Sequence, residues 1–108
     1  MKLIIAIVNK DDSSIVVQKL NKAGFTCTKL STTGGFLRAG NTTLLIGTEE
    51  EKVETVLDIL RDYCSRRTET VNAGASSYSE QFFSSVPVQV AVGGATVFVV
   101  DVEKSIKM

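Results

Sequence analysis

The chain opens with a pattern of apolar and polar positions that predicts a strand followed by a helix. Residues 3–8 form a continuous apolar run, which is typical of a strand covered on both faces. An amphipathic helix is indicated next by apolar residues at helical spacing, namely Val16, Leu20 and Ala23. Its N-terminal cap is expected among Asp11, Asp12 and Ser13. Gly24 follows at the position of a left-handed C-terminal cap.

Two more strands and a second helix are predicted from the next part of the chain. Residues 25–30 and 42–47 have strand-like composition, and alternation places Phe25 and Cys27 opposite Thr26, Thr28 and Leu30. The second helix has an apolar stripe of Val53, Val56, Leu57, Leu60 and Cys64. Thr48 and Glu51 have the spacing of a capping box at its start. The cations Arg61, Arg66 and Arg67 suit its negative C-terminal end.

The C-terminal third predicts further strands. Residues 68–71 and 86–92 are strand candidates, and Gly93-Gly94 is interpreted as a hairpin turn. Residues 95–102 are apolar on both faces, which predicts a central strand. The order is that of an α+β, ferredoxin-like βαββαβ fold with an extra C-terminal β-hairpin. At 108 residues the chain is expected to form a single domain, 1–108.

A long segment at 72–85 interrupts this pattern. It is rich in Ala, Ser and Gly and carries three aromatic residues, Tyr78, Phe82 and Phe83. Loops of this length in small domains are usually functional or disordered. These aromatic side chains would close over a ligand or dock a partner, or they would anchor the loop on its own domain. Both interpretations remain open at this stage.

Charge and composition exclude several classes of function. Lys plus Arg and Asp plus Glu both number 12, so the formal net charge is zero. This argues against binding to DNA or RNA and against docking on a membrane. The N-terminal apolar run is too short for a signal peptide, so a cytoplasmic location is expected. The two cysteines have neither metal nor redox spacing and are interpreted as small buried hydrophobes.

Nothing in the sequence indicates catalysis. Histidine is absent, and neither a phosphate-binding loop nor a dinucleotide fingerprint is present. The acidic residues cluster at helix starts, where capping explains them. We therefore expect no enzyme, no metal site and no cofactor.

The stretch TKLSTTGGFLRAGNTT contains the parts of a nucleotide site. The pair Gly34-Gly35 lets successive backbone N–H groups converge on an anion. Phe36 would stack on a base, Arg38 would meet a phosphate, and Asn41 would bind an adenine edge. Thr28 offers a hydroxyl from the strand that enters this segment. The alternative is a wide hairpin in which Phe36 and Leu37 only pack on the domain, and spacing alone favours that simpler interpretation.

Three stretches resemble the PII-like cyclic-di-AMP receptor family: MKLIIAIV, TKLSTTGGFLRAGNTT and VGGATVFVVDV. The resemblance implies a cytoplasmic, non-enzymatic signalling protein that forms a homotrimer and binds cyclic di-AMP in clefts between subunits. Loop ordering would then act on an unidentified downstream protein. The ligand contacts implied by the resemblance are Thr28, Gly35, Phe36, Leu37, Asn41 and Gly47.

The sequence departs from the family pattern at two expected contact positions. The family pattern has Asn where this chain has Gly24 and Arg where it has Thr26. The 72–85 loop and the C-terminal SIKM also differ from the family pattern. Two alternatives follow: a PII-like trimer that binds another adenine nucleotide, or a ligand-independent interaction module that works through the aromatic residues of the loop.

Overall fold

The computed structural model describes residues 1–30, 40–72 and 87–108 and shows an α+β fold. The elements in chain order are β1 (Lys2–Asn9), α1 (Lys10–Lys22), β2 (Cys27–Leu30), β3 (Asn41–Thr48), a 3₁₀ turn (Glu50–Lys52), α2 (Val53–Cys64), β4 (Arg67–Asn72), β5 (Pro87–Val92) and β6 (Ala95–Asp101). No helix in these ranges is both long enough and apolar enough to cross a membrane.

Four strands form the main sheet in the order β2-β3-β1-β6, and all of its neighbours are antiparallel. This is the ferredoxin-like arrangement, so the predicted fold class is confirmed. Among the described strands, the two additional ones, β4 and β5, pair only with each other and form a separate two-stranded ribbon. We call this pair the β4–β5 ribbon.

Both helices pack on one face of the main sheet and enclose the core. Alternate residues of β1 and β3 point into it, and the predicted apolar stripes of both helices meet them. The fully buried members include Ile4, Ala6, Val8, Val16, Leu20, Leu44, Ile46, Val56 and Cys64. The stripe of α2 is confirmed, whereas Ala23 of the α1 stripe is exposed because it is the C-cap residue.

The start of α1 is capped differently from the prediction. Asn9, the last residue of β1, is the N-cap, and its side-chain oxygen accepts the Asp11 N–H at 2.9 Å. Asp11, Asp12 and Ser13 lie inside the first turn instead. The C-terminal prediction is confirmed, because Gly24 has φ +93° and its N–H donates to the Asn21 carbonyl at 3.0 Å.

The predicted capping box before α2 does not form. Thr48 is the buried last residue of β3, and neither the 3₁₀ turn nor α2 has a side-chain cap hydrogen bond. The acidic run 49–51 enters the 3₁₀ turn, so Glu51 lies inside a turn rather than at the third position of a helix.

The interpretation of Gly93-Gly94 as a hairpin turn is wrong. β5 pairs with β4 and β6 pairs with β1, so these glycines connect two different sheets. β6 is also an edge strand of the main sheet and not a central one. β6 is apolar on both faces for a reason other than a central position. Val97 packs against the core, while Phe98 and Val100 are exposed on the opposite face.

Candidate functional site

The sheet face opposite the helices is apolar and, among the described residues, uncovered. Strand register places Thr28, Leu45, Ile5 and Phe98 side by side in one row across all four strands. Ile5 and Leu45 are half-buried, whereas the Phe98 residue is 51% exposed. We call this surface the open face. It also explains why residues 3–8 are continuously apolar although the described part of the chain buries only one side of β1.

Three of the predicted ligand contacts lie on the open face. Thr28 lies within β2, Asn41 begins β3, and Gly47 is the next-to-last residue of β3. All three are exposed, and alternation along β3 places Asn41 and Gly47 on the same side as Leu45. Gly47 lies six positions after Asn41 along the extended strand, so the two residues are about 20 Å apart. The structure therefore assembles residues that the sequence separates by 19 positions onto one surface.

The remaining predicted contacts lie outside the described residues. This applies to Gly35, Phe36, Leu37 and Arg38 of the glycine-rich segment. It applies equally to the loop aromatics Tyr78, Phe82 and Phe83. Their roles stay predictions.

The end of the glycine-rich segment is fixed on the first turn of α1. The Lys10 N–H donates to the Gly40 carbonyl at 2.6 Å, and Asn9 is the register partner of Asn41. Gly40 has φ +100°, a conformation that glycine adopts without the strain of a side chain. The helix start thus determines where Asn41 lies.

Gly47 leaves the strand backbone without a side chain of its own at one end of the open face. It is the register partner of Leu3. Among the described residues, the one atom close to an added Cβ would be the flexible tip of the Met1 side chain, at 3.2 Å. The strand would accept a larger residue if the Met1 tip moved aside, so the fold does not require a glycine at this position. A glycine lets a ligand approach the backbone closely.

A cleft of about 920 Å³ lies along β6, between α2 and the base of the ribbon. Its lining joins Leu57 and Leu60 of α2 to Gly94, Val97 and Asn41. Asn41 therefore borders both the open face and the cleft. Sequence reasoning missed this cleft and the exposed Phe98, and the only signal for them was the double-sided apolar pattern of residues 95–102.

The charged side chains that line the cleft are arginines. Arg66 and Arg61 line it, and Arg61 is held by Asp58 at 2.8 Å and Glu54 at 3.7 Å on the exposed surface of α2. Such exposed pairs are weakly stabilising, so they leave the side chain adaptable. In the parts of the chain that the structure describes, no cluster of three His, Cys, Asp or Glu residues could hold a metal ion.

Both cysteines are free and neutral. Burial, followed by the negative charge of Asp12, raises the pKa of the Cys64 thiol to about 11. Burial alone raises the pKa of Cys27. A raised thiol pKa disfavours the nucleophilic and metal-binding thiolate, which agrees with the interpretation of these residues as packing groups.

The fold defines the class of protein: a ferredoxin-like α+β domain of the PII-like kind, with an added ribbon. The whole chain, residues 1–108, matches the family described as cyclic-di-AMP receptor, and the chain therefore belongs to this PII-like receptor family. Its structure is also similar to the crystal structure of a functionally unknown protein from Pediococcus pentosaceus ATCC 25745. The TM-score is 0.79 and the identity 41%, over 99% of this chain and 96% of that one.

Proposed function

We propose that this protein is a cytoplasmic, non-enzymatic signalling protein that binds cyclic di-AMP in clefts between the subunits of a homotrimer. The observation that carries the proposal is the position of Thr28, Asn41 and Gly47 on the open face of a chain that belongs to the cyclic-di-AMP receptor family. A ligand bound there would lie where a second subunit covers the sheet.

The apolar character of the open face supports assembly. An antiparallel sheet with one face in water usually carries polar side chains on that face. Here the face carries Ile5, Leu45, Phe98 and Val100, and the last two are 51% and 41% exposed. Contiguous apolar patches on soluble proteins mark interaction surfaces. A ring of three copies would cover each open face by the same heterologous contact.

The described residues offer suitable chemistry for the ligand. The Thr28 hydroxyl would donate to a phosphate oxygen, and the Asn41 amide would form paired hydrogen bonds with an adenine edge. The space above Gly47 would admit the second half of the ligand. The separation of about 20 Å between Asn41 and Gly47 suits a ligand with two bases better than one with a single base. The predicted contacts Gly35, Phe36, Leu37 and Arg38 would add a backbone anion nest, an apolar wall and a cation.

The proposed output is ordering of the loops. Ligand binding would order the 32–41 segment and the 72–85 loop, and the loop aromatics Tyr78, Phe82 and Phe83 would then form part of the surface offered to a downstream protein. Protection of the 72–85 loop from proteolysis by cyclic di-AMP would support this output. Equal cleavage with and without the ligand would contradict it.

Calorimetric titration tests the binding proposal directly. We expect cyclic di-AMP to bind near one per protomer, and ATP and cyclic di-GMP to bind much more weakly. Asn41→Ala should weaken binding by about tenfold, the effect of losing a paired base contact. Asn21→Ala, which alters an exposed asparagine at the end of α1, is the matched control and should bind like the unmodified protein.

The outcomes also separate the alternatives. Binding of ATP without cyclic di-AMP would indicate divergence to another adenine nucleotide, in line with the departures at Gly24 and Thr26. No binding of any nucleotide by a protein that remains trimeric would favour the interaction module. Equal affinities of the unmodified protein and Asn41→Ala would refute the assigned site.

A further inference from the structure

An ion pair between a buried carboxylate and a guanidinium that is 43% exposed connects the first turn of α1 to the ribbon. Asp12 is 6% exposed, and its Oδ1 accepts a hydrogen bond from Nη2 of Arg67, the first residue of β4, at 2.8 Å. Arg67 Nη1 donates to the second oxygen of Asp12 at 3.4 Å and to the Ser65 carbonyl at 3.2 Å. The guanidinium therefore spans both carboxylate oxygens, a geometry that fixes orientation as well as charge. A carboxylate buried to this extent depends on such a partner.

Gly93, directly after β5, packs closely against the same ion pair. A Cβ added at Gly93 would lie 2.5 Å from Arg67 Nη1, 2.8 Å from the Ser65 carbonyl and 3.2 Å from Asp12 Oδ2. Because Arg67 is the register partner of Val92, both strands of the ribbon reach Asp12 at their base. Gly94 adds a backbone hydrogen bond from its N–H to the Cys64 carbonyl at 2.6 Å.

The same helical turn also holds the end of the glycine-rich segment. Lys10, two residues before Asp12, donates its N–H to Gly40, and Asn9 is the register partner of Asn41. A single turn of α1 is thus hydrogen-bonded to the glycine-rich segment on one side and to the ribbon on the other. A displacement of Gly40 would move the turn that carries Asp12.

We propose that Asp12, Arg67 and Gly93 form a latch that fixes the base of the β4–β5 ribbon to α1 and couples the ribbon to ligand binding at Asn41. This inference rests on the proposed function, and it assigns a regulatory path to that site. Asp12 is a positioning residue, since it acts through the first turn of α1 and through Arg67. The ribbon leads directly into residues 73–86, so the latch connects the two segments of the proposed switch.

Hydrogen exchange measured by mass spectrometry tests the latch on the full chain, with and without saturating cyclic di-AMP. Asp12→Asn removes the charge, and the milder Arg67→Lys keeps the charge but loses the two-pronged contact. The matched control is Asp58→Asn, which removes the nearer of the two acidic partners of Arg61 from an exposed ion pair of the same length, 2.8 Å. Without ligand, both latch variants should exchange the amides of β4 and β5 about fivefold faster or more, and the control should not.

The comparison with and without cyclic di-AMP distinguishes coupling of the ribbon to the ligand site from simple anchoring of the ribbon on α1. Cyclic di-AMP should slow exchange in the ribbon of the unmodified protein and of Asp58→Asn. It should not do so in Asp12→Asn, and we expect calorimetry to show that this variant still binds the ligand. A merely structural role for Asp12 would leave this ligand-induced protection intact.

Each result that differs from these expectations rules out one part of the proposal. Equal ribbon exchange in the unliganded wild-type and Arg67→Lys proteins would refute the latch, even if Asp12→Asn failed to fold. Faster exchange with ligand-induced protection retained in Arg67→Lys would refute the coupling. If the wild-type protein binds no cyclic di-AMP, the proposed function fails, and the unliganded comparison still decides whether the ribbon is latched.

Discussion

Phe98 lies beside Ile5 across the β1–β6 ladder, on the sheet face that the helices leave uncovered. The neighbouring residue Ile4 points to the opposite face and is fully buried, whereas Phe98 is 51% exposed. Thr28 lies in the same row of side chains at the other edge of the sheet. The apolar surface proposed for assembly and the polar group proposed for ligand binding therefore share one face. We expect assembly and ligand binding to depend on each other.

Replacing Phe98 by glutamate should disrupt the proposed trimer. A charge in the middle of a buried apolar interface costs several kcal/mol unless it is paired. We expect Phe98→Glu to elute as a monomer in size-exclusion chromatography with light scattering. Ile15→Glu is the matched control, since Ile15 is an exposed apolar residue on α1 and is 39% exposed. A Phe98→Glu protein with the same mass as the control would show that the open face is not the interface.

Local patterns predicted several elements correctly. The stripe of Val56, Leu60 and Cys64 needs only helical spacing, and all three residues are buried on α2. The capping glycine Gly24 also depends on its immediate neighbours, and its positive φ confirms it. These features were predictable because their causes lie within one or two turns of chain.

Features that depend on distant parts of the chain could not be predicted. Arg67 was interpreted as a cation at the end of α2, but its partner is Asp12, 55 residues earlier. β6 was interpreted as central because apolarity on both faces does not reveal how many strands flank it. The family resemblance proposed Thr28, Asn41 and Gly47 as ligand contacts. Their common face follows only from the strand registers, which no local spacing encodes.

A larger side chain at Gly47 should block ligand binding without unfolding the protein. We expect Gly47→Val to bind cyclic di-AMP at least about tenfold more weakly, since an added side chain would fill the space above the strand. Within residues 1–30, 40–72 and 87–108, the one close neighbour of a new Cβ is the flexible tip of Met1 at 3.2 Å, so the melting temperature should change little. Gly47→Ala is the graded control and should have a smaller effect. Unchanged affinity in Gly47→Val would place the ligand elsewhere.

Adding an arginine at Thr26 should strengthen binding. The family resemblance implies Arg at this position, and a charge-assisted hydrogen bond would contribute roughly 1.5 to 3 kcal/mol. Thr26 is exposed, so the longer side chain has room. We expect Thr26→Arg to bind cyclic di-AMP about tenfold more tightly in calorimetry. Thr26→Met, of similar length but uncharged, is the control, and equal affinities of the two variants would rule out the charged contact.

The raised pKa of Cys64 should make stability fall at alkaline pH. The folded thiol has a pKa of about 11 against an ordinary 9.0, so the unfolded chain loses this proton first as the pH rises. The contribution is complete below pH 9 and is lost as the pH rises through 11. It amounts to about 1 to 3 kcal/mol.

Urea unfolding between pH 8 and pH 10.5 measures this effect through a variant that lacks the thiol. The difference in unfolding free energy between the wild-type protein and Cys64→Ala should narrow as the pH rises. Val56→Ala is the control, because Val56 is equally buried on the same helix and does not titrate. A Cys64→Ala difference that stays as constant as that of Val56→Ala would show that the thiol does not carry the pH dependence.

Gly93 should tolerate substitution less well than Gly24, although both have positive φ, +76° and +93° respectively. Alanine in this conformation costs about 1 to 2 kcal/mol at either position. At Gly93 the new Cβ would also meet Arg67 Nη1 at 2.5 Å and the Ser65 carbonyl at 2.8 Å, whereas at Gly24 no atom of the described residues lies within 4 Å. We therefore expect Gly93→Ala to lower the unfolding free energy by at least about 1 kcal/mol more than Gly24→Ala in urea denaturation. Equal losses would mean that backbone strain alone, and not contact with the Asp12–Arg67 pair, requires a glycine at this position.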